Sequence, residues 1–282
     1  MTPPALLAAL FATSLAAGTA GAVLGLGGGI LLIPVLTLFF GVDLRYAMGA
    51  SIVSVIATSS GAAAAYLRTS LGNVRIGLFL TLATVSGALV GAGLAGVVPV
   101  RWLQLLLGLV LAYSAITTLR QLHVELPPVV EVDALALQFG LEGRYHDGVL
   151  ARDVAYHATH VKRGFLAMLG AGLLSGLLGI GSGAFKVLAM DYLMRLPMKV
   201  STATSNFMIG ITSAATAGVY FARGDIDPLL AAPVAVGVLA GATLGTRLMG
   251  RLRNTTVRMA FLPVLVYLAA SMLLHGLGVL GS

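Results

Sequence analysis

The sequence predicts an all-α polytopic membrane protein made of two inverted repeats. Each repeat is a broken or re-entrant helical hairpin followed by three transmembrane helices, with a small linker between the copies. Three observations carry this prediction. Hydrophobic residues make up 58% of the 282 residues and charged residues 10%, with mean hydropathy +0.99, whereas a soluble domain averages about a quarter charged. Two intensely apolar stretches are each interrupted by glycines, at Gly25-Leu26-Gly27-Gly28-Gly29 and at Gly179-Ile180-Gly181-Ser182-Gly183. The two breaks lie 154 residues apart, and the same offset aligns Leu24 with Leu178, Ser51 with Ser205, Thr58 with Thr212, Tyr66 with Tyr220 and Tyr113 with Tyr267. Gly87, Gly91 and Gly96 likewise fall on Gly241, Gly245 and Gly250. One ungapped offset through loops and helices, including the rarer tyrosines, indicates duplication rather than chance matching of Ala/Gly/Leu-rich runs.

In chain order, the first broken stretch covers 4–40, and three ordinary spans follow near 46–66, 76–97 and 101–120. The second stretch covers 164–194, with spans near 200–222, 229–249 and 256–279. Each span has the ~20 residues needed to cross ~30 Å of hydrocarbon. The N-terminus lacks the basic region of a signal peptide and part of it aligns with an internal segment, so it reads as mature structure. Segment 121–163 holds six of the ten acids, Pro127-Pro128 and a turn signal at Asp147-Gly148. Its alternating apolar residues are compatible with a small β-hairpin and equally with loose order. The expected division is a first membrane repeat over 1–120, a linker over 121–163 and a second membrane repeat over 164–282.

The second stretch sets the expected topology. As one helix its 31 residues would run ~46 Å, too long for a single crossing, while two full crossings need about 40 residues. Two partial helices meeting at the glycines fit. The charges agree. If each broken stretch crossed once, the loop cations would divide eight against eight. If both return, Arg45, Arg101 and Arg223 share one face and the other thirteen share the opposite one. Positive charge collects on the cytoplasmic side. The expectation is therefore a multi-pass protein of the cytoplasmic membrane with the linker cytoplasmic and both termini outside. The formal net charge of +7 does not indicate nucleic acid, because the cations sit in short loops between apolar runs.

The chemistry is expected at the breaks. Glycine within a spanning helix frees N–H and C=O groups, tolerated only where protein or a watery cavity satisfies them. The half-helices after each break, from Ile30 and from Ala184, would present unpaired N–H groups and a partial positive charge. Matched broken helices in two halves point to a transporter's binding site. The candidate lining is Gly27, Gly28, Gly29, Gly181, Ser182 and Gly183, with Lys186 three residues past the second break. Lys186 is the one basic residue placed inside an apolar span, and Leu32 holds its counterpart position. Either it binds an anion, or it snorkels or pairs with Asp191. Ser51, Ser205 and Asn206 add polar groups on the following spans. Thr58, Ser59, Thr212 and Ser213 read as packing, as do the small-xxx-small pairs Gly87/Gly91 and Gly241/Gly245. His157 and His160 read as loop surface. The chain has no cysteine. It carries no nucleophile–base constellation and no phosphate loop, so neither an enzyme nor a cofactor or metal protein is expected.

These residues resemble the TauE/SafE sulfite exporter family of membrane permeases. The resemblance rests on Gly25-Leu26-Gly27-Gly28-Gly29-Ile30-Leu31-Leu32-Ile33-Pro34, on Gly179-Ile180-Gly181-Ser182-Gly183-Ala184-Phe185-Lys186-Val187, and on Ala203-Thr204-Ser205-Asn206-Phe207. It spans both halves; Ser182 departs from Gly28 of the first copy, and the linker is long. The resemblance implies a secondary transporter, an exporter of a small sulfur-containing oxyanion such as sulfite or an organosulfonate. Its partners would be that anion and the lipid bilayer, with room for a homo-oligomer. Access would alternate as one half rocks against the other. Composition excludes cysteine-based thiosulfate transfer. Two alternatives stand beside export: proton-coupled uptake of an anion or organosulfur compound, and a non-transporting scaffold acting through the linker.

Overall fold

The computed structural model describes residues 3–24, 29–68, 72–120, 133–147, 152–249 and 254–279. The first copy comprises α1 (Pro3–Leu24), α2 (Gly29–Phe40), α3 (Leu44–Arg68), α4 (Val74–Ala95) and α5 (Val100–Arg120). The linker supplies α6 (Ala134–Phe139), β1 (Glu142–Asp147) and β2 (Arg152–His157). The second copy comprises α7 (Val161–Leu178), α8 (Gly183–Leu188, continued by a π-helical turn over Ala189–Leu193), α9 (Met198–Ala222), α10 (Pro228–Met249) and α11 (Asn254–Leu277). Among the described residues α4, α5 and α7 each contain a window long and apolar enough to cross a membrane, and four shorter apolar helices accompany them. The protein is thus a mostly helical, polytopic membrane protein.

The packing follows the repeat. α1 lies along α10 and α4 along α7; α3 packs on α9 and α5 on α11; α4 also meets α9, as α10 meets α3. Exchanging α1–α5 for α7–α11 leaves this scheme unchanged. It holds residue by residue: Gly172 sits on Thr84 as Gly18 sits on Val238, and Gly87 on Leu169 and Leu173 as Gly241 on Leu15 and Thr19. Glycine at these positions lets backbones touch, the packing expected of small-xxx-small spacing. Direction can be read from the same contacts. Gly108 meets Leu273 while Gly276 meets Leu105, and Gly49 meets Asp225 while Gly210 meets Ser59. Equivalent helices of the two copies therefore run antiparallel where they pack.

The second broken stretch doubles back. The Thr159 N–H, just before α7, donates to the Met194 carbonyl at 3.0 Å, as does its hydroxyl at 3.2 Å, and the Met194 side chain lies on Gly164. The two limbs are unequal. α7 has 18 residues, about 27 Å, while the return over 183–193 is much shorter than a full crossing. Arg45 donates to the Gly96 carbonyl at 3.0 Å and Arg223 to the Ala92 carbonyl, so both reach the same end of α4. Arg101 caps α11 through the Gly276 and Leu277 carbonyls at 2.6 and 3.0 Å. Each arginine thereby serves the negative end of a helix dipole.

The described part of the linker is folded. β1 and β2 pair antiparallel from Glu142 opposite His157 to Asp147 opposite Arg152, the hairpin compatible with the sequence; its turn lies outside the described residues. His157 faces Glu142 across the ladder at 3.3 Å. Leu141, Tyr145, Tyr156 and Ala158 are buried with Ile76 and Leu80 of α4 and Met168 of α7, and Phe79 packs against Phe139 and Phe165. Asn73 caps α4 through Ile76 and also donates to the Glu142 carbonyl and the Tyr156 hydroxyl. α6 was not foreseen.

Asp133 joins this unit to the membrane helices. One carboxylate oxygen accepts from the Leu135 N–H at 3.0 Å, the other from the Val161 N–H at 2.9 Å. Those N–H groups, Val161 first, hold its carboxyl below the usual carboxylate range. The folded value lies below the unfolded one, so the contribution is full above about pH 4 and is lost as pH falls through the lowered folded value. Asp133→Ala removes a helix cap worth ~1 kcal/mol and is expected to speed hydrogen exchange at Leu135 and Val161 about fivefold at neutral pH.

Candidate functional site

The helix after each break begins one residue before its sequence-expected start, at Gly29 for α2 and Gly183 for α8. Gly27 and Gly28 lie outside the described residues. In the second break Gly179 closes α7 at φ 67°, its N–H reaching the Ser175 carbonyl, and Gly181 follows at φ 72°. Left-handed backbone suits glycine. Ser182 adopts it too, at φ 46°, where a side chain costs roughly 1–2 kcal/mol; its hydroxyl is buried with no hydrogen-bond partner among the described residues.

The two breaks meet. From α3, Ser51 Oγ donates to the Gly179 carbonyl at 2.8 Å and lies 3.2 Å from the Gly29 carbonyl. A side chain on Gly29 would place its Cβ 2.6 Å from both Ser51 Oγ and Val55, and 3.7 Å from the Ile180 carbonyl. A side chain on Gly181 would strike Val55 of α3 and Ile209 of α9. Ser205 Oγ reaches the Gly183 carbonyl at 3.4 Å, the repeat equivalent of Ser51 and Gly29. The first turns of α2 and α8 leave N–H groups without intrahelical acceptors, and each carries the positive end of a dipole. Ser51 is fully buried, so Ser51→Ala strands a buried carbonyl. The expected loss is ~1–3 kcal/mol, read by thermal unfolding in detergent.

Lys186 is fully buried. Its Nζ donates to Thr212 Oγ1 of α9 at 3.2 Å, and among the described residues it forms no ion pair, with Asp191 or any other acid. Thr212 donates in turn to the Met208 carbonyl at 2.7 Å and lies 3.3 Å from Thr84 Oγ1 of α4. Asn206 bonds the Thr202 carbonyl of its own helix at 3.0 Å. The structure thus brings together Gly29, Gly181, Gly183, Ser51 and Ser205, with Lys186 one turn into α8; Asn206 is committed locally. Thr212, which the sequence reads as packing, and Thr84 stand at the Lys186 end of this cluster. A signal for Thr84 existed: the offset of 154 pairs Thr84 with Val238 and Lys186 with Leu32, so those two polar positions break the repeat together.

On the other side of α8, Phe185, Leu188 and Ala189 line a cavity of about 540 Å³ with Tyr113 of α5 and Ala171 and Leu174 of α7. Tyr113 stacks on Phe185 with ring centroids 5.1 Å apart. The lining carries no charged side chain.

The family model described as sulfite exporter TauE/SafE matches residues 10–272. The chain is 25% identical over 275 residues to "Probable membrane transporter protein YunE" of Bacillus subtilis (strain 168), covering 95% of this chain and 97% of that protein. It is 27% identical over 238 residues to "Probable membrane transporter protein YdhB" of the same strain, covering 84% and 88%. To "Probable membrane transporter protein ORF9" of Sinorhizobium sp it is 26% identical over 244 residues, covering 86% and 82%. No solved structure matches it.

Proposed function

The chain belongs to the TauE/SafE sulfite exporter family, and from that premise we propose that it is a secondary transporter that exports a small sulfur-containing oxyanion, sulfite or an organosulfonate. The observation that carries the reading is the meeting of the two breaks at Ser51, with a fully buried lysine one turn into the helix that follows the second break. An anion there would find N–H groups of two helix starts, glycine backbone open to close approach, and the Lys186 ammonium. Thr212 would guide that ammonium.

The membrane repeats over 1–120 and 164–282 act as inverted copies around the linker over 121–163. Antiparallel packing of α3 with α9 and of α5 with α11 supports the inversion. So does the approach of Arg45 and Arg223 to one end of α4, because single crossings would have parted them. The positive-inside bias then puts the linker in the cytoplasm and the termini outside. The cell interior is negative, so each net charge leaving gains ~2.3 kcal/mol per 100 mV.

Counterflow in proteoliposomes loaded with sulfite, sulfate, sulfoacetate or thiosulfate tests the reading. At least one of these is expected to accelerate exchange over protein-free vesicles. Exchange of none would overturn transport of this class and leave the scaffold alternative standing.

A further inference from the structure

We infer that Lys186 takes up a proton when the anion binds, so that the loaded carrier moves one proton together with each anion. This rests on the anion-binding reading above. Three observations carry it. Lys186 is fully buried and its one described side-chain partner is a hydroxyl, Thr212. Among the described residues no carboxylate compensates an ammonium there, and burying an unpaired charge costs several kcal/mol, which a lysine avoids by shedding its proton. The equivalent cluster in the first copy is apolar apart from Thr58: Leu32 and Val238, both fully buried, stand where Lys186 and Thr84 stand in the second.

Among the described residues the surroundings supply no other counter-charge. Arg75 on α4, Lys162 and Arg163 on α7, Lys199 on α9 and Arg223 just past it are cations near helix ends. Asp191, past α8, forms no ion pair with Lys186, whose described partner is Thr212. Tyr113 stacks on Phe185, Tyr192 is largely exposed, and the Tyr220 hydroxyl donates to the Gly176 carbonyl at 2.8 Å. The arriving anion is the missing partner. The neutral amine takes a proton from water on the side of entry, the ammonium and anion cross as a pair, and both proton and anion leave on the far side. A dianion then carries one net negative charge across rather than two, so the membrane potential still favours its export.

Calorimetric titration of the purified full chain at pH 8, in two buffers of different ionisation enthalpy, counts the protons. Sulfoacetate and methanesulfonate serve as probes because neither titrates there. Wild type is expected to take up about one proton per anion. Lys186→Arg, whose guanidinium stays protonated, is expected to bind with almost none. Binding by wild type without proton uptake overturns the inference and leaves the anion site standing. An undiminished count in Lys186→Arg overturns Lys186 as the proton acceptor. If that variant does not fold, the wild-type count decides. Binding of neither probe overturns the inference, and the counterflow assay then judges the parent reading separately.

Discussion

Lys186→Met is expected to weaken sulfite binding roughly ten- to a hundredfold in detergent-purified protein, because a hydrogen bond to a charged partner contributes ~1.5–3 kcal/mol. Heat stability should hold or rise. The lysine is fully buried, and methionine is an unbranched, adaptable substitute. Desolvating a buried amine is costly and one hydroxyl partner offsets little of it, so apolar bulk in its place is expected to be neutral or stabilising. Binding and stability are thus expected to move apart. A variant that binds sulfite as wild type does would remove Lys186 from the site. One that loses both together would point to a structural lysine instead.

Gly176→Val is expected to have the largest effect on assembly. Even a Cβ at Gly176 would overlap the Ala88 carbonyl, and Gly172 meets Thr84 in the same way one turn earlier. Backbone lies on the far side of each contact, so no side chain can swing clear. Overpacking of this kind costs at least ~2 kcal/mol, or ~4–8 °C in unfolding temperature for a chain of this size. Gly93→Ala is the control. Nothing lies within 4 Å of a Cβ there, and alanine is the better helix former by about 0.8–1 kcal/mol, so its melting temperature should be unchanged or slightly higher. A Gly176 variant that melts with wild type would show that α4 and α7 do not touch as described.

Much of the fold was legible because membrane helices announce themselves by length and apolarity, and because the duplication aligns at one offset. The span near 76–97 is α4 over 74–95, and the span near 200–222 is α9 over 198–222. Of the glycines assigned to packing, Gly87 and Gly91 lie on Leu169 and Leu173 and Gly241 lies on Leu15, while the surroundings of Gly245 lie outside the described residues. The site was legible only in part. Composition shows where a helix must break, but not what the broken ends touch, so the bridge from Ser51 to Gly179 across 128 residues could not be read. The partner of Lys186 was hidden for a related reason. Threonine serves as packing and as a polar ligand with the same side chain, and only the neighbouring helix decides between them. Asp133 belongs to this class too. Its two donors, the Leu135 and Val161 N–H groups, share one carboxylate only after the linker folds back.

The close pairing of α1 with α10 and of α4 with α7 has a consequence for motion. Each pair takes one helix from either copy and is joined backbone to backbone, so rocking one copy against the other would have to part both seams. Cutting the chain between the copies should yield two fragments that are orphaned alone and functional only when made side by side.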